Sequence, residues 1–78
     1  MMNWYFTFMF KQPKLKNRYV KVPGSYSDAR STLYDIIGEK FAFQYCEEDF
    51  LPQIDYYHLT EISLDELEKN PQWLNYDE

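Results

Sequence analysis

The chain of 78 residues holds one cysteine, one histidine and two glycines. Cys46 alone excludes an intrachain disulfide. With His58 as the sole imidazole, a structural zinc site, which takes about four Cys or His ligands, is not expected. Gly24 and Gly38 are too few and too far apart for a phosphate-cradling loop. No stretch approaches the ~20 apolar residues of a membrane span. The apolar opening Met1–Phe10 lacks the basic region and cleavage site of a secretion signal. A free thiol suits a reducing compartment, so the expected location is the cytoplasm and no membrane partner is expected.

What the chain has instead is aromatic mass: two Trp, eight Tyr and six Phe, 21% of the residues. A domain this short buries roughly two-thirds of its unfolded surface. Rings that each bury ~150–250 Å² replace disulfides and metals as the source of a core. A single domain over 1–78 follows. Net charge is −5, but it is unevenly spread. Met1–Arg30 sums to +5 and Ser31–Glu78 to −10. Either each end has a solvated polar face, or the surface is bipolar and steers a charged partner.

Trp4, Phe6, Phe8 and Phe10 alternate with Tyr5, Thr7 and Met9, the period of a strand. Both faces are largely apolar, so this strand should be central or covered on both sides. Lys11–Asn17 reads as a loop, and Arg18–Val22 as the returning strand of a hairpin stopped by Pro23-Gly24. A helix follows, capped by Ser25 or Ser27, with Tyr26, Ala29, Leu33, Ile36 and Ile37 on one face. Gly38 is expected at its end with positive φ. Lys40–Cys46 predicts a third strand with Phe41, Phe43 and Tyr45 on one side and Ala42, Gln44 and Cys46 on the other. Glu47-Glu48-Asp49 ends it, Phe50-Leu51-Pro52 reads as a connecting loop, and Tyr56–Ile62 as a fourth strand. Ser63 and Glu66 form a capping box for a short last helix, with Ile62 stapling onto Leu67. Asn70-Pro71 closes that helix and leaves Trp73, Leu74 and Tyr76 for docking. The expected fold is α+β, a small, mainly antiparallel sheet with one main helix packed on it, in the order ββαββα.

Candidate chemistry is sparse. Cys46 and His58 would need adjacent strands to form a nucleophile–base pair; a core cysteine and a surface histidine is the simpler reading. Glu47, Glu48, Asp49 and Asp55 could split their pKa values by burial, but an acidic run is ordinarily solvated. The calcium-loop spacing is absent. No enzyme and no cofactor is expected. Two binding surfaces remain. The first is acidic and aromatic: Glu47, Glu48, Asp49 and Asp55 with Tyr56 and Tyr57, of which one should face outward from a strand. Tyrosines among carboxylates suit a protein contact. The second is the basic hairpin, Lys11, Lys14, Lys16, Arg18 and Lys21, with Tyr5, Phe10 and Tyr19 as stacking faces for single-stranded nucleic acid. An aromatic pocket for a nucleotide signal is a third possibility.

The segment Ser27-x-Ala29-Arg30, followed by Gly38-Glu39-Lys40-Phe41-Ala42-Phe43-Gln44-Tyr45, resembles a pattern in small proteins of bacterial phages and other mobile elements. Trp4, Tyr5, Thr7 and Phe8 fit their aromatic opening, and Tyr19-Val20 fits the hairpin return. The likeness covers Trp4 to Tyr45, with Phe41 where the pattern has tryptophan. It implies a mobile-element setting, in which small proteins act by binding and disabling host factors such as defence nucleases. The expected function is therefore a phage-type protein that binds a host protein through the acidic, aromatic surface, inhibiting a bacterial defence system in the manner of an anti-CRISPR or other anti-defence protein. Nucleic acid is the second-choice partner.

Overall fold

A computed structural model describes residues 2–8, 12–39 and 41–73 of the chain. Met9, Phe10, Lys11, Lys40, Leu74 and Tyr76, which figure in the expectations above, lie outside the described residues. The elements run β1 (Asn3–Phe8), β2 (Arg18–Pro23), α1 (Tyr26–Ile37), β3 (Phe41–Cys46), α2 (Glu47–Tyr57), β4 (Thr60–Glu61) and α3 (Leu64–Lys69). Short 3-10 turns lie at Pro13–Leu15 and Pro71–Trp73.

The fold is α+β with a mixed four-stranded sheet in the order β3-β1-β2-β4. β1 pairs antiparallel with β2 and with β3. β4 adds a two-residue parallel pairing to β2. The expected fourth strand Tyr56–Ile62 is thus reduced to Thr60–Glu61, and the order becomes ββαβαβα. β1 is central, as its two apolar faces require. On one face Phe6, Val20 and Val22 pack with Ala29, Leu33 and Ile37 of α1, Leu67 of α3, Ile62 and Leu15. On the other, Tyr5 and Tyr19 close around Phe50 of α2, with Tyr45, Ile54 and Leu59 at the margin. Helices therefore cover both faces, where the sequence suggests one main helix on one side.

Local chemistry sets the helix ends. Ser25 Oγ accepts the Asp28 N–H at 3.1 Å and starts α1. Gly38 ends α1 with φ 64° and ψ −135°. The positive φ is as expected; the ψ falls outside the left-handed helical well, in a region nearly confined to glycine. Ser63 Oγ accepts the Glu66 N–H at 3.0 Å, which is half of a capping box. The Glu66 carboxylate instead accepts the Trp73 indole N–H at 3.0 Å. Ile62 and Leu67 are both buried in the same cluster.

Two expectations about faces are overturned. Tyr26 is half-exposed rather than buried, its ring edge-on to Trp4 at 5.1 Å. In β3 the register jumps: Phe6 faces Gln44, yet Phe8 faces Phe41. Thr7 of β1 alone opposes residues 42 and 43 of β3, which is a bulge. The extra residue reverses the alternation. Phe41 turns to the α1 side and packs on Phe6 at 5.2 Å, while Tyr45 packs on Phe50 at 5.1 Å on the α2 side. They do not share a face.

Candidate functional site

The largest departure from the sequence reading decides the geometry of the site. Residues 47–57 are not a loop and a strand but helix α2. Proline in a helix interior removes one bond and costs ~3 kcal/mol; Pro52 is therefore a stop signal on its own. Several features offset it. Glu47, Glu48 and Asp49 occupy the first turn, where carboxylates complement the positive end of the helix. Pro52 is on the exposed side, so the carbonyl left without its N–H faces water. Phe50 is fully buried and Ile54 sits one turn on; a buried Phe contributes ~1.5–3 kcal/mol. The end is closed by His58 at φ 55°, ψ 49°, with His58 N–H to Asp55 O at 3.4 Å and Leu59 N–H to Ile54 O at 2.9 Å. That bond pair, with Leu59 and Ile54 against the same cluster, is a Schellman cap.

The helix gathers all six acidic and aromatic candidates on one element. Glu47, Glu48, Asp49, Asp55, Tyr56 and Tyr57 are all exposed. Instead of one tyrosine facing outward from a strand, both do, at 77% and 57% exposure. Their rings meet edge to face at 4.8 Å. Glu48, Pro52 and Tyr56 follow at intervals of four and form one row. Tyr56, Tyr57, Pro52 and Gln53 line an open groove. Leu51 is exposed nearby. α2 carries four carboxylates and no basic residue.

The acids are not equivalent. Glu47 accepts from Asn3 Nδ2 at 3.4 Å and acts on the Tyr5 phenol, whose pKa is raised by burial first and by the Glu47 charge second. Burial and then Glu61 raise the Tyr19 phenol. Asp49 accepts from the Cys46 thiol at 3.2 Å. Glu47 and Asp49 thus fasten the start of α2, and Glu48 and Asp55 are the acids most free to meet a partner.

Cys46 caps the start of α2 and His58 its end, about 18 Å apart at 1.5 Å per residue. The geometry gives no nucleophile–base pair. Among the described residues no group of three or more His, Cys, Asp or Glu is placed to hold a metal, and no helix is long and apolar enough to cross a membrane.

The basic hairpin is dispersed. Lys14 Nζ donates to Gln72 O at 3.0 Å, and the Arg18 guanidinium lies 4.9 Å from the centre of the Trp73 ring. These two hold the segment Pro71–Trp73 on the α3 side. Lys21 lies opposite Tyr5 on β2 and faces the α2 side, and Tyr5 and Tyr19, the proposed stacking platforms, are buried. Lys16 is exposed. The described cations do not line one groove.

No protein-family model, no curated protein and no solved structure matches the chain.

Proposed function

We propose that the protein is a non-enzymatic binding module of phage type that presents the outer face of α2 to a basic surface on a host protein, with a bacterial defence factor as the class of partner. The observation that carries this reading is the pair of exposed tyrosines, Tyr56 and Tyr57, among four carboxylates on a helix with no cation. Carboxylates orient and accelerate encounter but give modest affinity once salt screens them. Tyrosines supply the contact area of interface hot spots. The mobile-element resemblance supports the choice of partner class.

The test is capture from bacterial lysate on the immobilised protein, followed by mass spectrometry, beside a variant carrying Asp55→Lys, Tyr56→Ala and Tyr57→Ala. The substituted side chains are exposed, so the variant should keep its circular dichroism spectrum. A specific basic-surfaced protein retained by the wild type, and bound at least ~10-fold more weakly by the variant, is expected. Equal retention by both removes α2 as the contact face. Capture of nucleic acid alone, lost with Lys16→Glu and Lys21→Glu, would replace this function by the second-choice partner.

A further inference from the structure

β3 is an outer strand of the sheet, and among the described residues nothing pairs with its outer side. Strand chemistry shows which groups are left over. The Gly24 N–H bonds to Met2 O at 2.9 Å, so residues 2, 4 and 6 turn their peptide groups toward β2. Tyr5 therefore turns to β3, where it faces Tyr45. Because peptide groups alternate along a strand, the N–H and C=O of Gln44 and the N–H of Cys46 point away from the sheet. Edges of this kind are ordinarily blunted by charge, proline or a covering loop. Residues 41–46 read Phe-Ala-Phe-Gln-Tyr-Cys, with no charge and no proline. Among the described residues the bulge is the one protective device, and it leaves the stretch Phe43–Cys46 regular.

The surroundings are aromatic. Phe43 is 64% exposed and its ring lies 6.2 Å from Tyr45. On the opposite face Tyr26 and Tyr34, each about half exposed, flank Arg30 at intervals of four along α1. Arg30 leans over Phe41 at 4.9 Å and donates to Gln44 Oε1 at 3.2 Å. Gln44 Nε2 in turn donates to Tyr26 O at 3.1 Å. The Gln44 side chain is thus spent on clamping β3 to α1, and its main chain is held ready at the edge.

We infer that this edge is an interface between two copies of the chain, joined by antiparallel β3–β3 pairing centred on Gln44. The occupant follows from self-complementarity. A two-fold axis through Gln44 sets the N–H of each copy against the C=O of the other. The same register places Phe43 opposite Tyr45 of the second copy, twice, on the α2 side, as an aromatic cross-strand pair. Residues 41–46 carry no charge, so two chains of net charge −5 pair along this strand without like charges set directly opposite one another. The exposed parts of Phe43, Tyr26 and Tyr34 supply on the order of 300 Å² of the ~800 Å² that each partner gives to a standard interface. Association is therefore weak. The product is a continuous eight-stranded sheet with both α2 helices on one side, so two contact faces are presented together.

Sedimentation equilibrium across about 1 μM to about 1 mM covers the range in which small interfaces associate. The mass should rise from 9.6 kDa toward twice that value. Phe43→Lys should raise the dissociation constant at least ~10-fold, whereas Tyr56→Ala should leave it unchanged. Hydrogen exchange on the unmodified protein is independent of any variant's folding: the Gln44 amide should exchange freely at low concentration and be protected at high concentration. A mass of 9.6 kDa throughout, a dimer broken by Tyr56→Ala instead of Phe43→Lys, or Gln44 exchange that ignores concentration would each overturn the assignment.

Discussion

On one side of the sheet, α1 and α3 cover nine buried residues that are largely aliphatic and drawn from strands, helices and a turn. On the other, α2 sets its own Phe50 against two buried rings of the sheet, Tyr5 and Tyr19. Contacts on the first side are shared among many small groups. On the second they converge on Phe50, whose ring lies 5.1–5.3 Å from Tyr5, Tyr19 and Tyr45. The aliphatic side holds the larger share of the buried residues, and the aromatic side docks the helix that carries the candidate contact face. A helix held by one plug has its position fixed by very few residues, so changes beneath it reach the surface directly.

Phe50→Ala should break this arrangement most severely. Removal of a buried Phe costs ~3–5 kcal/mol, a large part of the ~5–15 kcal/mol that small domains possess. Thermal or urea unfolding followed by circular dichroism measures it. Tyr56→Ala, on the outer side of the same helix, should lie within about 0.5 kcal/mol of wild type. Equal losses for the two would show that α2 is not held by its inner ring.

The helix ends sharpen the comparison, because each main helix stops at a positive φ. Gly38 closes α1 at φ 64°, with no atom within 4 Å of a Cβ placed there. Gly38→Val should therefore destabilise by more than ~1 kcal/mol through backbone strain alone. His58 closes α2 at φ 55°, where a non-glycine residue costs ~1–2 kcal/mol. His58→Gly should relieve that strain, partly offset by unfolded-state entropy, and stabilise by up to ~1 kcal/mol. Urea midpoints should move in opposite directions for the two substitutions.

The most gradual difference concerns pH. The Tyr5 and Tyr19 phenols are both raised above 10.0, first by burial and then by neighbouring carboxylates. Below pH 10 both forms of the chain hold these protons and their contribution is fully present. As pH rises above 10 the unfolded chain releases protons that the folded chain retains, and stability falls. Unfolding midpoints between about pH 8 and pH 11.5 should decline on the alkaline side. Tyr5→Phe with Tyr19→Phe should flatten the decline; an unchanged slope would locate its source elsewhere.

Much of the aliphatic side was legible in the sequence, because its signals are local. The alternation in β1, the spacing of Ala29, Leu33 and Ile37, the Ser25 cap and the Gly38 stop need no tertiary information. The central place of β1 also followed from its two apolar faces. The aromatic side was misread because tertiary packing overrides local rules there. Pro52 argues against a helix until Phe50 and Ile54 find Tyr5, Tyr19 and Tyr45, and no local rule says that they will. The β3 bulge is set by pairing with β1, so the alternation of residues 41–46 could not reveal that Phe41 and Tyr45 part company. Leu15 is buried although it lies in a polar, proline-containing stretch. The six acidic and aromatic candidates are neighbours in sequence, but they lie on a helix and not on a loop and strand, which turns one exposed tyrosine into two.

The most direct measurement of the central claim, that α2 is the contact face, is an amide hydrogen-exchange footprint of the protein bound to its captured partner. Protection should concentrate in residues 47–58, with 14–21 unchanged and residues 41–46 responding only to protein concentration. A footprint on 14–21, with 47–58 exchanging as in the free protein, would contradict the account and move the contact to the basic hairpin.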